Sequence, residues 1–71
     1  MIYDYSKLRG KIIEKCGTQT KFQELMKLSH TSISDKLNNK IDFTQEDIEK
    51  AIEILNIKRT DISIYFFNLK V

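Results

Sequence analysis

The 71-residue chain has no proline and no tryptophan, two glycines, one cysteine and one histidine. All-β domains need turn residues at short intervals, so this scarcity points to helices. A lone cysteine, Cys16, excludes an intramolecular disulfide and any cysteine-based metal site, and it reads as a small buried hydrophobe on a helix. The lone histidine, His30, has no second histidine with which to share a metal and no nucleophile–base pair to complete. Neither a metal, a cofactor nor a catalytic triad has residues to rest on, so the chain is not expected to be an enzyme. No apolar run approaches the roughly 20 residues of a membrane span. MIYDYSKLRGK lacks the apolar core of a signal peptide, so the expected compartment is the cytoplasm, with no membrane partner.

What is present suits one small folded domain over residues 1–71: 41% hydrophobic and 31% charged residues. The net charge of +2 is unevenly placed, with +4 on residues 1–41 and −2 on residues 42–71. A basic N-terminal half is a weak pointer to a polyanionic partner.

Apolar periodicity divides the chain into about five short helices, an all-α bundle. Tyr5, Leu8, Ile12, Ile13 and Cys16 form one stripe, with Asp4 as N-cap, a Tyr3–Leu8 staple and Gly17 at the C′ position, which predicts a helix over 5–16. Gly10 inside it costs about 1 kcal/mol against alanine. Thr18 caps a second helix over 19–26, whose inner face is Phe22, Leu25 and Met26. Ser29 caps a third over 30–38, where Leu28 staples Ile33 and Leu37 shares the face of Ile33. In FTQED, Thr44 and Asp47 form a shortened capping box with a Phe43–Ile48 staple, and Ile48, Ala51, Ile52 and Leu55 continue a fourth helix. ISIYFFNLKV reads as a fifth helix over 61–67 capped by Thr60, although Ile, Tyr and Phe favour a strand as well.

The third helix is unusual in what it displays. Beyond Ile33 and Leu37 it offers Thr31, Asp35 and Asn38, flanked by Ser32 and Ser34, with His30 at the first turn. Two short helices joined by three or four residues match a helix-turn-helix over about 18–39, in which the second helix enters the DNA major groove. Short polar side chains on such a helix let its backbone approach base edges, so His30, Thr31, Ser34, Asp35 and Asn38 are the candidate base-facing set. The N-terminus of the second helix, with Thr18 and Gln19, suits a phosphate, and Ser32 is a further backbone-facing candidate.

QTKFQELMKLSHTSISDKLNNK resembles the helix-turn-helix of lambdoid phage repressors and Cro proteins, a lambda repressor-like DNA-binding domain. The wider pattern, YDYSKLRGKI through GTQTKF, LNNKIDFTQEDIEKAIEIL and YFFNLKV, is similar to small Cro-like switch proteins of temperate phages of Gram-positive bacteria. The resemblance implies that Gln19 contacts phosphate, that His30, Thr31 and Asp35 face bases, and that Asn38, Asn39 and Lys40 touch the DNA backbone. The chain departs from the family at three positions. Gln23 stands where a small residue is usual. Lys27 stands where glycine is usual, at a cost of roughly 1 kcal/mol if its φ is positive. Lys36 stands where an apolar residue is expected, leaving that role to Leu37.

The expected function is a transcriptional regulator of a phage lytic–lysogenic switch that binds operator double-stranded DNA through 30–38. The alternative is an antirepressor that binds the cognate phage repressor protein. Asp35 divides the two readings. A carboxylate is repelled by phosphates unless it accepts from a cytosine amino group, with Lys36 and Lys40 partly offsetting its charge, whereas on a protein it can meet a basic patch. Seven large apolar side chains crowd residues 62–71. Ile62 and two aromatics are expected to pack on helices one and four. Tyr65, Phe66, Phe67 and Leu69 are the candidate contact surface for a homodimer or a partner repressor.

Overall fold

The computed structural model describes residues 2–70. The described residues fold into five helices: α1 Ser6–Cys16, α2 Gln19–Met26, α3 His30–Leu37, α4 Gln45–Leu55 and α5 Ile62–Phe66, the last entered through a 3₁₀ turn at Arg59–Asp61. Among the described residues no helix is long and apolar enough to cross a membrane.

The boundaries follow local chemistry. The Thr18, Ser29 and Thr44 hydroxyls each accept a hydrogen bond from the backbone N–H three residues on, at 3.0, 3.1 and 3.0 Å. Asp47 returns the bond from the Thr44 N–H at 2.9 Å, completing the capping box. Gly17 takes φ 86° and donates its N–H to the Ile13 carbonyl, as a helix-ending glycine does. Lys27 ends α2 in the left-handed region at φ 58°, where the sequence comparison expects glycine. Asn56 ends α4 in the same region.

Two starts differ from the sequence expectation. α1 begins at Ser6, one residue late, because Tyr5 turns its ring into the core, and the Asp4 carboxylate accepts from the Ser6 N–H at 2.9 Å. Thr60 caps nothing, because it lies inside the 3₁₀ turn and α5 starts without a side-chain cap.

The core gathers Tyr5, Leu8 and Ile12 of α1, Phe22 and Met26 of α2, Ile33 and Leu37 of α3, Ala51, Ile52 and Leu55 of α4, then Ile57 and Phe66. Each large side chain removed from water there contributes about 1.5–3 kcal/mol. Two residues assigned to inner faces lie outside: Ile13 is 55% exposed and Leu25 44% exposed. Ile13 sits about 100° around the helix from Ile12, and Tyr5, Leu8 and Ile12 already fill the seam. On the eight-residue α2, Phe22 and Met26 do the same. Cys16 is half-buried against the core, and burial pushes its thiol pKa up, which fits an inert packing role.

The C-terminal segment is both helix and extended chain. After α5 it turns back, and Leu69 forms an isolated antiparallel bridge with Tyr3. The Asp4 N–H donates to the Asn68 carbonyl at 2.6 Å and the Lys70 N–H to the Ile2 carbonyl at 3.0 Å. Phe66 is core at 1% exposure, which removes it from the expected contact surface. Its ring meets Phe43 edge-on at 5.3 Å, and Phe43 in turn meets Tyr5 at 5.4 Å, so the α5 aromatic is held inside a ring cluster. Phe67 and Leu69 remain half exposed and Tyr65 half-buried.

Candidate functional site

α3 is held against the core by Ile33 and Leu37, four residues apart, with Ser29 closing its first turn. This places His30, Thr31 and Asn38 on the exposed side and leaves Ser34, Asp35 and Ser32 partly covered. The sequence-assigned base-facing residues therefore lie on α3 and its C-cap residue Asn38, and His30, Thr31 and Asn38 are exposed.

Lys36, expected to temper the charge of Asp35, does not lie on that face. It is 7% exposed, with its ammonium 2.7 Å from the Asp47 carboxylate and 3.2 Å from the Asp42 carbonyl that accepts from it. Its Nζ also lies 6.0 Å from the centre of the Phe43 ring. Burial alone would raise the Asp47 pKa, but hydrogen bonds from Lys36 and Thr44 outweigh it and hold the carboxyl below its ordinary value. The missing apolar residue at this position is thus supplied by a lysine stem whose charge is neutralised by the α4 capping box. The consequence for α3 is electrostatic. Its only cation faces inward, and Asp35 is the only formal charge left on its accessible side. Along the sequence the neighbouring cations, Lys27 and Lys40, lie beyond its two ends, and in space the Arg9 guanidinium meets its C-terminal end.

The backbone-facing set divides. Lys40 is exposed and free to reach outward. Thr18 and Ser32 are exposed and half-buried respectively, but the Thr18 hydroxyl caps α2 and the Ser32 hydroxyl accepts from Ser29 Oγ at 3.0 Å. Asn39 is a correction. It takes φ 63°, and its amide clamps one backbone unit, with Oδ1 accepting from the Tyr3 N–H and Nδ2 donating to the Tyr3 carbonyl, both at 2.9 Å. Both ends of the amide are engaged, so Asn39 anchors residues 2–4 to the end of α3 instead of offering itself to a phosphate.

Arg9 of α1 was not legible as part of this surface. Its guanidinium donates through Nη2 to the Leu37 carbonyl and to Asn38 Oδ1, each at 3.1 Å, and through Nη1 to Gln19 Oε1 at 3.4 Å. Asn38 Nδ2 continues the chain to Ser34 Oγ at 3.2 Å. No local pattern marks Arg9, because its partners lie 10 to 29 residues away. Lys36 did leave a signal: Ile33, Lys36 and Leu37 keep the i, i+3, i+4 spacing of a buried stripe. Among the described residues no group of three or more His, Cys, Asp or Glu side chains is placed to hold a metal.

A family model described as "Protein of unknown function (DUF739)" matches residues 1–69. None of the curated proteins matches the chain. Among solved structures the chain is similar to the solution structure of the modulator of repression (MOR) of the temperate bacteriophage TP901-1 from Lactococcus lactis. The identity is 51%, over 100% of this chain and 96% of that one, with a TM-score of 0.84.

Proposed function

The chain belongs to the DUF739 family of proteins of unknown function, and from that premise and its likeness to a phage modulator of repression we propose that it regulates the lytic–lysogenic switch of a temperate phage by binding the phage repressor protein. α3 is the contact surface, with His30, Thr31, Ser34, Asp35 and Asn38 facing the partner. The observation that carries this reading is the inward turn of Lys36 onto Asp47, which leaves Asp35 as the formal charge on the accessible side of α3. Affinity for DNA comes chiefly from cations meeting phosphates. A helix without an outward cation and with a carboxylate at its centre suits a basic protein surface better than a duplex.

Operator binding through the same helices is the second reading. It is favoured by the three-residue turn between α2 and α3 and by the exposed His30 and Thr31. The Cro-like helix-turn-helix kinship belongs to this proposal, as a scaffold shared with DNA readers and used here on a protein. The experiment is a pair of titrations at fixed salt, one with the cognate repressor and one with operator duplex. A stoichiometric complex with the repressor and no shift of the free duplex is expected. A specific shift of the operator by this chain alone, with no repressor complex, overturns the reading in favour of DNA.

A further inference from the structure

We infer that Arg9 of α1 is a positioning residue of the α3 contact surface, extending that surface across three helices and fixing the chemistry it presents. The inference rests on the repressor-binding reading above. Arg9 links Gln19 at the start of α2, the Leu37 carbonyl at the end of α3 and Asn38, and Asn38 continues to Ser34. A freely rotating polar side chain that a partner must immobilise lowers affinity, roughly two- to tenfold for each rotamer-rich one. A guanidinium that presents several donors in a rigid plane holds these amides before the partner arrives, which an ammonium on a flexible stem cannot do.

The network also fixes polarity. Gln19 Oε1 is turned inward to Arg9, so its NH₂ donors point away from it. Ser34 Oγ accepts from Asn38, so its own proton remains to donate. The corner between α1, α2 and the end of α3 is therefore rich in donors and cationic through Arg9. It adjoins an open polar cleft of about 430 Å³ whose walls include Asp4, Ser6, Arg9, Asn38 and Lys70. Asp35, three positions before Asn38, supplies the acceptor. The complementary partner is a folded protein surface that sets a carboxylate or the open carbonyls of a helix C-terminus against the Arg9 corner and a cation against Asp35. A duplex matches the first half of this pattern and is repelled by the second.

The test is a double-mutant cycle on the whole chain with Arg9→Lys, Gln19→Ala and the double variant, titrated against the cognate repressor and, separately, against operator duplex. Thermal melts of all four proteins accompany the titrations. Arg9→Lys keeps the charge and removes the bridging geometry. It is expected to weaken repressor binding about tenfold, the loss of one charge-assisted hydrogen bond, and the double variant is expected to be no weaker than Arg9→Lys alone. A merely structural Arg9 moves the melts but leaves the two substitutions multiplying independently, and that result overturns the inference. So does unchanged affinity in Arg9→Lys. If the wild-type chain binds no repressor, the proposed function falls and this inference with it, a result distinct from the previous two. Should Arg9→Lys fail to fold, nitrogen relaxation of the side-chain amides in the wild-type protein decides. Ordered Gln19 and Asn38 amides support the inference, and freely rotating ones overturn it.

Discussion

With its ammonium 2.7 Å from the Asp47 carboxylate and both side chains about nine-tenths removed from water, Lys36 holds the end of α3 to the start of α4. Removing one partner of such a pair leaves the other charge buried and alone, so Lys36→Ala is expected to destabilise the fold by about 3 kcal/mol in chemical denaturation. The pair also sets an acid limit. The Asp47 pKa lies below its ordinary 3.8, so its contribution to stability is fully present above that value and is lost as the pH falls through the lower, folded-state pKa. Melting curves between pH 7 and pH 3 should fall steeply below about pH 4 in the wild type and less steeply in Asp47→Asn, which keeps a capping oxygen but no charge. An equal acid slope in both proteins would assign the effect to other carboxylates. At Asp35 the outcome concerns binding: Asp35→Asn should weaken the repressor complex several-fold, more at low salt than at high. Tighter binding in that variant would mean that the carboxylate faces another acid.

Along the elements, the caps were the features most legible in the sequence. Thr18, Ser29, Thr44 and Gly17 each act within one turn of themselves, so their chemistry is complete in four or five residues. Ile13 and Leu25 were assigned inward because two adjacent apolar residues fit a helical stripe equally well, and only the neighbouring helix decides which one is covered. Asn39 and Arg9 were illegible in their roles for a different reason. Polar side chains on a helix end or an exposed face look alike whether they await a ligand or hold the chain together, and here the partners are distant Tyr3, Gln19 and Asn38. Two substitutions within elements should stabilise the protein. Gly10 sits mid-helix with open space where a Cβ would go, so Gly10→Ala should add about 1 kcal/mol. Lys27 carries φ 58°, and Lys27→Gly should relieve about 1 kcal/mol of left-handed strain, less the entropy that glycine loses on folding. Urea titrations of each measure both; a loss at Gly10→Ala would mean that α1 bends there.

At the scale of the molecule, five short helices are closed by one extended contact. Residues 2–4 are gripped on one side by the Asn39 amide and on the other by the backbone of residues 68–70. Asn39→Gly keeps the backbone freedom needed at φ 63° and removes the clamp. It is expected to cost about 1–2 kcal/mol and to speed amide exchange at Asp4 and Lys70 more than at Ile12 or Leu55. Uniform acceleration would mean that the clamp and the core open as one unit.

The pairing of Tyr3 with Leu69 joins the most distant parts of the described chain. Helices form from contacts a few residues apart, whereas this bridge must close a loop of nearly the whole polypeptide, at an entropic cost that grows with loop length. The helical core can therefore assemble while residues 2–4 and 68–70 are still apart, and the bridge is the last latch to engage.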